Sequence, residues 1–229
     1  MDLTLHDVAG MIDLSAVRPD TTEADVRAMV ETAVRYRCLC VTTFPSYTPL
    51  LVDLLVEAPA IRVSGNVAFP SGATTRAAKI AEARELLQMG CDELDVVLHT
   101  GLLRSGRDRL VLDEIRAVVD VAGEAPVKVI LECHYLSHGE IRRGCELCIE
   151  AGAAFVKTGT GWAPTGATLQ NVALIQSCVG DAIGIKAAGG IRSLRTLEEL
   201  YRLGARRFGI GFRSAQPILE QCQRRSGRA

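Results

Sequence analysis

Eight short apolar runs, separated by stretches with helical spacing of apolar residues, constrain the fold of this chain more than any other feature. The runs lie at residues 11–16, 37–43, 61–69, 93–98, 127–133, 154–158, 182–187 and 206–210. Strands that alternate with helices build parallel βαβ units. Eight units in 229 residues predict an α/β fold of the TIM (β/α)8 barrel type, a single domain over residues 1–229. An open doubly wound sheet would need a phosphate loop after the first strand, and no GxGxxG or GK[ST] loop stands there.

Composition agrees with a large aliphatic core: 48% of residues are hydrophobic and only 4% aromatic. Lys plus Arg (26) nearly balance Asp plus Glu (27), so no broad basic surface invites nucleic acid or an anionic membrane. No apolar run approaches the ~18 residues of a membrane span. The N-terminus lacks a basic stretch followed by an apolar one, so no signal peptide is expected. Eight cysteines are scattered through strand-like and helix-like segments rather than spaced as a disulfide framework. Buried free thiols and a cytoplasmic location follow as expectations.

Residues 1–10 read as a short helical cover on the barrel floor. Thr22 with Asp25, and Ser137 with Glu140, have capping-box spacing, and Thr196 with Glu199 suggests a third cap. The segment GLLRSG after the fourth run reads as a loop, and the C-terminal QCQRRSGRA as a frayed end. In the fifth run, Lys128, Ile130 and Glu132 alternate onto one strand face. Charges inside a barrel need partners, which neighbouring strands would supply.

Two apolar runs end in lysine and are followed by glycine-rich turns: AFVKTGTGW and AIGIKAAGGIR. Lys157 and Lys186 therefore stand at the carboxyl rim, on adjacent strands. An ordinary lysine, with a pKa of about 10.4, is neutral in roughly one molecule in a thousand near neutral pH. Burial and a second ammonium both lower that pKa, which makes one of the pair an imine-forming nucleophile. The alternative is that both side chains snorkel to solvent. Asp95, inward on the fourth run, is the carboxylate best placed to shuttle protons; a structural ion pair is its other reading. Gly189, Gly190 and Arg192, in a GGIR turn before a helix, could expose backbone N–H groups to an anion, or form a plain tight turn. CysGluLeuCys at 145–148 has no second CxxC, and His134 and His138 read as polar loop residues.

These motifs, spread over nearly the whole chain, resemble the deoxyribose-phosphate aldolase family, class I aldolases on a TIM barrel. The family reads close to FVKTSTGF where this chain has FVKTGTGW, and close to GVKASGGIR where it has GIKAAGGIR. ELDVV, VKVILE and AFPSGATT are similar to further family stretches. The resemblance implies that Lys157 forms the Schiff base, Lys186 lowers its pKa, Asp95 relays protons and Lys128 supports the cluster. It implies a small-molecule aldehyde and a sugar phosphate as reactants, with acetaldehyde and glyceraldehyde 3-phosphate joined to 2-deoxyribose 5-phosphate, and the reverse as the catabolic direction of carbohydrate metabolism. No metal or cofactor is implied beyond the covalent imine on Lys157.

Departures from the family pattern also occur. DLSAVRP replaces a DHTLLKP-like stretch, changing Leu14 and Arg18; ThrThrPhePro replaces an Asn-Pro; and His99 stands at a frequent Asn. Strand eight carries GIGFRS in place of a small hydroxyl run, so Ile210, Gly211 and Phe212 precede Arg213 and Ser214. Aldolase chemistry is thus expected with an altered substrate tail. The tail would contact Thr158, Trp162, Gly189, Gly190, Arg192, Arg213 and Ser214, with Arg213 and the GGIR turn holding the phosphate, or with no phosphate present. Related readings remain: an imine-forming lyase of a biosynthetic pathway, a phosphate-binding isomerase, and a silent barrel. A monomer and a homodimer are both compatible with the sequence.

Overall fold

The computed structural model describes residues 3–226 and closes eight parallel strands into a barrel in sequence order. In chain order the elements are α1 (Leu5–Ala9), β1 (Ile12–Ala16), α2 (Glu23–Tyr36), β2 (Cys40–Thr43), α3 (Thr48–Leu54), β3 (Arg62–Val67), α4 (Arg76–Gln88), β4 (Glu93–Val97), α5 (Thr100–Arg104) and α6 (Asp108–Ala122). Then follow β5 (Val127–Ile130), α7 (His138–Glu150), β6 (Phe155–Lys157), α8 (Leu169–Val179), β7 (Gly184–Ala188), α9 (Leu194–Arg202), β8 (Arg207–Gly211) and α10 (Phe212–Ser226). Every predicted run overlaps one strand, with β7 and β8 each extending one residue beyond its run.

Strand alternation sorts the side chains into two environments. Leu14, Val41, Val63, Leu94, Val96, Val129, Val156, Ile185 and Phe208 are buried in the continuous apolar core. Between them stand Asp13, Ser64, Glu93, Asp95, Lys128, Lys157, Lys186 and Arg207, also buried, and bonded to one another across strands. The apolar set packs under the helices and the polar set fills the barrel. Among the polar groups, the pairing register sets Asp95 beside Lys128, and Lys157 beside Lys186.

The capping boxes at Thr22–Asp25 and Ser137–Glu140 form as predicted, with Asp25 Oδ2 3.0 Å from Thr22 N and Glu140 Oε2 2.7 Å from Ser137 N. The cap expected at Thr196 lies three residues earlier. Ser193 Oγ accepts from Thr196 N at 3.1 Å, while Glu199 pairs with Arg195 instead. The GLLRSG segment is only partly a loop: residues 101–104 belong to α5, which His99 Nδ1 caps through Leu102 N at 3.2 Å, and Ser105 and Gly106 turn out of it.

At the C-terminus, α10 continues through Ser226, so most of the segment expected to fray is helical. Arg225 ties it to Leu3 O (2.9 Å) and Glu198 (2.7 Å). Within the expected cover at residues 1–10, α1 packs on α10, and residues 1–2 lie outside the described residues. The fifth strand stops at Ile130 because Glu132 turns left-handed at φ 55°, so Glu132 does not share a strand face with Lys128.

Candidate active site

A chain of ion pairs crosses the barrel interior. At its base Arg207 donates to Asp13 Oδ1 through Nε at 2.9 Å and to Glu93 Oε2 through Nη2 at 2.8 Å. Lys128 Nζ lies 2.7 Å from Glu93 Oε2 and donates to Asp95 Oδ1 at 2.9 Å. Lys186 Nζ stands 2.6 Å from Asp13 Oδ2 and 2.6 Å from Asp95 Oδ2. Lys157 Nζ donates to the same Asp95 oxygen at 2.6 Å. Ser64 Oγ completes the shell of Asp95 with a bond to Oδ1 at 3.1 Å. The structure thus brings Lys157, Lys186, Asp95 and Lys128 together, as their positions on strands predict.

The sequence reading missed Asp13, Glu93 and Arg207. Glu93 and Asp95 stand two apart in one strand, the same alternation that marked Lys128, and that signal was available.

Four buried cations face three buried carboxylates in this network. Uncompensated charge in a low-dielectric interior is costly, so one lysine is driven towards neutrality. Lys157 bears that load: burial pulls its pKa down to about 8, Lys186 and Lys128 add repulsion, and Asp95 offsets part of the fall. Asp95 responds in the opposite sense. Burial alone would raise its carboxyl, but Lys128, Lys157 and Lys186 hold it well below the usual range. At pH 7 the shift in Lys157 multiplies the neutral amine on the order of a few hundredfold over an ordinary lysine.

Asp13, Cys40 and Glu93 offer three potential metal-ligand atoms within 4.8 Å of one another. Their carboxylates are already engaged by Lys186, Arg207 and Lys128, and burial with the Asp13 charge pushes the Cys40 thiol well up. That donor set suits ammonium and guanidinium groups better than a divalent ion.

Lys157 and Lys186 open upward into a cavity of about 270 Å³. Its walls include Trp162, Gly189, Gly190, Arg192, Arg213 and Ser214, so six of the predicted tail-binding residues do converge. Gly189 and Gly190 both have φ of 91°, which only glycine adopts without strain, and this makes the turn. Thr158 is different. Its hydroxyl is spent between strands, donating to Ala188 O at 2.7 Å and accepting from Ala188 N at 2.9 Å, and it does not line the cavity.

Trp162 roofs one side, where its Nε1 donates to Val17 O at 2.8 Å and its ring meets Phe69 edge-on with centroids 6.1 Å apart. Arg213, exposed at the start of α10, pairs with Asp25 Oδ1 at 2.6 Å. Arg192 is exposed, with Nη1 donating to Ile191 O at 3.1 Å.

Comparison with known proteins agrees with this geometry. The profile of the DeoC/LacD family aldolases matches residues 8–214. The deoxyribose-phosphate aldolase of Sinorhizobium medicae is 46% identical over 220 residues, covering 96% of this chain and 89% of its own length. The deoxyribose-phosphate aldolase of Klebsiella pneumoniae is 43% identical over 225 residues, covering 97% of this chain and 90% of its own. The deoxyribose phosphate aldolase of Aeropyrum pernix, described as a tetramer, superposes with a TM-score of 0.88 at 32% identity, covering 96% of this chain and 92% of that one. Strand order, the interior charges and these likenesses together make the chain a member of the DeoC/LacD family of aldolases, which are lyases.

Proposed function

We propose that this chain is a class I aldolase that works through an imine on Lys157, reversibly cleaving a 2-deoxyribose 5-phosphate type of aldol to acetaldehyde and glyceraldehyde 3-phosphate. The observation that carries this reading is that the Lys157 and Lys186 ammonium groups both stand 2.6 Å from one oxygen of Asp95. Glu93 Oε2 also carries two cations, Lys128 and Arg207, but neither lines the cavity, whereas both lysines on the Asp95 oxygen do. That places an amine with a carboxylate beside it where a substrate carbonyl can reach it.

In the cleavage direction, neutral Lys157 adds to the C1 carbonyl of the open-chain sugar, and water leaves to give the iminium. Loss of the C3 hydroxyl proton towards Asp95 breaks the C2–C3 bond. Its electron pair passes to the iminium nitrogen, so the three-carbon aldehyde departs and an enamine remains. Protonation at C2 and hydrolysis release acetaldehyde and restore Lys157. The iminium fixes positive charge on the nitrogen, and Asp95 at 2.6 Å stabilises it. Lys186 keeps Lys157 from holding its proton, and Lys128 holds the other oxygen of Asp95. The imine nitrogen is itself the electron sink, so the reaction calls for neither metal nor organic cofactor.

A second reading changes only the acceptor. Arg213, the cation expected to hold a phosphate, is paired with Asp25, and Asp20 also lines the cavity mouth. This favours a tail less anionic than a phosphate. A monomer and a homodimer are both compatible with this reading. All eight cysteines are free thiols, and no helix among the described residues is long and apolar enough to cross a membrane; both suit the cytoplasmic location proposed for a sugar-phosphate enzyme.

Borohydride trapping with acetaldehyde, followed by peptide mass mapping, tests the imine. A reduced ethyl adduct on Lys157, absent from Lys157→Arg, is the expected result. An adduct only with another carbonyl compound would move the donor, and none with any carbonyl compound would remove the aldolase reading. Comparing cleavage of 2-deoxyribose 5-phosphate with that of 2-deoxyribose decides the acceptor.

A further inference from the structure

We propose that Glu132 is a positioning residue for this reaction: its buried carboxyl holds Thr160, and through Thr160 the cavity wall that faces the substrate beyond Lys157. This inference rests on the imine reading above. Glu132 is the buried carboxylate near the site that the ion-pair network does not use. Its backbone is left-handed at φ 55°, ψ 62°, a conformation unfavourable for a non-glycine residue that persists only where the surroundings impose it. The flanking residues stay zipped to the end of β6, with Leu131 N donating to Lys157 O at 3.0 Å and Cys133 N to Thr158 O at 2.9 Å. Between those two bonds the twist at Glu132 aims its side chain at the loop that follows Lys157.

There the carboxyl meets Thr160 twice. Thr160 N lies 3.3 Å from both Glu132 oxygens, and the Thr160 hydroxyl donates to Oε2. The same hydroxyl accepts from Trp162 N at 3.0 Å, which passes the constraint to the indole that roofs the cavity. A Cβ on Gly159 would come within 2.7 Å of Glu132 Oε1, so the loop sequence leaves room for this carboxyl. A Cβ on Gly189 would lie 3.4 Å from Gly161 Cα, so the loop that Glu132 fixes is in backbone contact with the GlyGly turn.

Thr160, Gly161 and Trp162 line the cavity together with Lys157, whereas Glu132 does not. Its role is therefore exerted through Thr160. A two-carbon donor on Lys157 needs little of this wall. The remainder of a five-carbon aldol must lie against it, so loosening the wall weakens binding of the aldol more than formation of the imine.

The test uses full-length wild type, Glu132→Ala, Glu132→Gln and Thr160→Val, with circular dichroism to score folding. Each is measured for KM and kcat in cleavage of 2-deoxyribose 5-phosphate and for borohydride trapping of acetaldehyde on Lys157. Glu132→Ala and Thr160→Val are expected to raise KM at least tenfold, with trapping and kcat within threefold of wild type. Glu132→Gln, which can accept from Thr160 N and donate to its hydroxyl, is expected to stay within threefold throughout. An unchanged KM in Glu132→Ala overturns the proposal, as does a fall in trapping and kcat that merely follows the folded fraction. So does a Gln variant as impaired as the Ala variant. If Glu132→Ala does not fold, Thr160→Val decides: a tenfold KM rise supports the proposal and an unchanged KM overturns it. Wild type that traps nothing would bring down the aldolase reading, and this inference with it. Wild type that traps beside variants that match it overturns this inference alone.

Discussion

Lys186 shares Asp95 Oδ2 with Lys157, the proposed nucleophile, and also reaches Asp13, so its ammonium is a like charge held on the same oxygen. Removing it in Lys186→Met takes away one of the two repulsive lysines that hold Lys157 down at about 8. The pKa of Lys157 is then expected to rise. In wild type, imine formation should increase with pH through about 8 as Lys157 loses its proton. In Lys186→Met that limb should move to higher pH, with slower trapping at pH 7. Initial trapping rates between pH 6 and 10 check this, and a limb that stays in place would remove Lys186 from the tuning role.

At this scale the site was legible where a charge interrupts an apolar run. Lys157, Lys186 and Asp95 stood out because a charge in a buried strand needs a partner there. Arg207 escaped notice because it follows Arg206 at the start of its run, and only barrel closure carries it to Asp13 and Glu93. Thr160 escaped too. Nothing in TGTGW separates the hydroxyl that faces Glu132 from the one in Thr158 that bridges strands.

Short elements leave little room for error in side-chain volume. β6 has three residues, and its first, Phe155, lies beside Gly184 of β7 in the register. A Cβ on Gly184 would come within 2.4 Å of the Phe155 ring, and that ring also stacks on Arg207 with a 5.8 Å separation. Gly184→Ala therefore forces the ring against the base of the ion-pair network. Overpacking of this kind costs about 1–3 kcal/mol, to be read as a lower urea midpoint with unchanged slope. A midpoint equal to wild type would show that Phe155 has space to move.

Ser193→Ala removes the cap of α9 and should cost about 1 kcal/mol by the same measurement. Caps were legible where Asp or Glu stands at the third helical position, as in α2 and α7. At α9 that position is Thr196, and the acid at 199 drew the cap inward. The helical tail of α10 was not legible, because QCQRRS has little apolar content and its order comes from Leu3 and Glu198, far away in sequence.

For the whole molecule, the interior network makes stability depend on pH with two opposite signs. Burial alone would raise Glu93, yet Lys128 and Arg207 bring its pKa down to about 2. Against about 4.3 in the unfolded chain, this contributes roughly 3 kcal/mol that is fully present above pH ~4.3 and lost as pH falls towards 2. Lys157 works the other way. Its folded pKa of about 8 lies below the unfolded value of about 10.4, so the folded state binds that proton less tightly. At pH 7 this destabilises the fold by roughly 3 kcal/mol, and the penalty fades as pH climbs from 8 to about 10.4.

Lys157→Met removes the surplus cation and fills the same space, while Asp95 keeps Lys128, Lys186 and Ser64 as partners. The variant is expected to be inactive and more stable than wild type at pH 7, with the gap closing near pH 10. Urea unfolding at the two pH values measures it. A variant less stable than wild type at pH 7 would mean that Lys157 serves the fold as an ordinary ion-pair partner, and the charge imbalance that makes it nucleophilic would have to lie elsewhere.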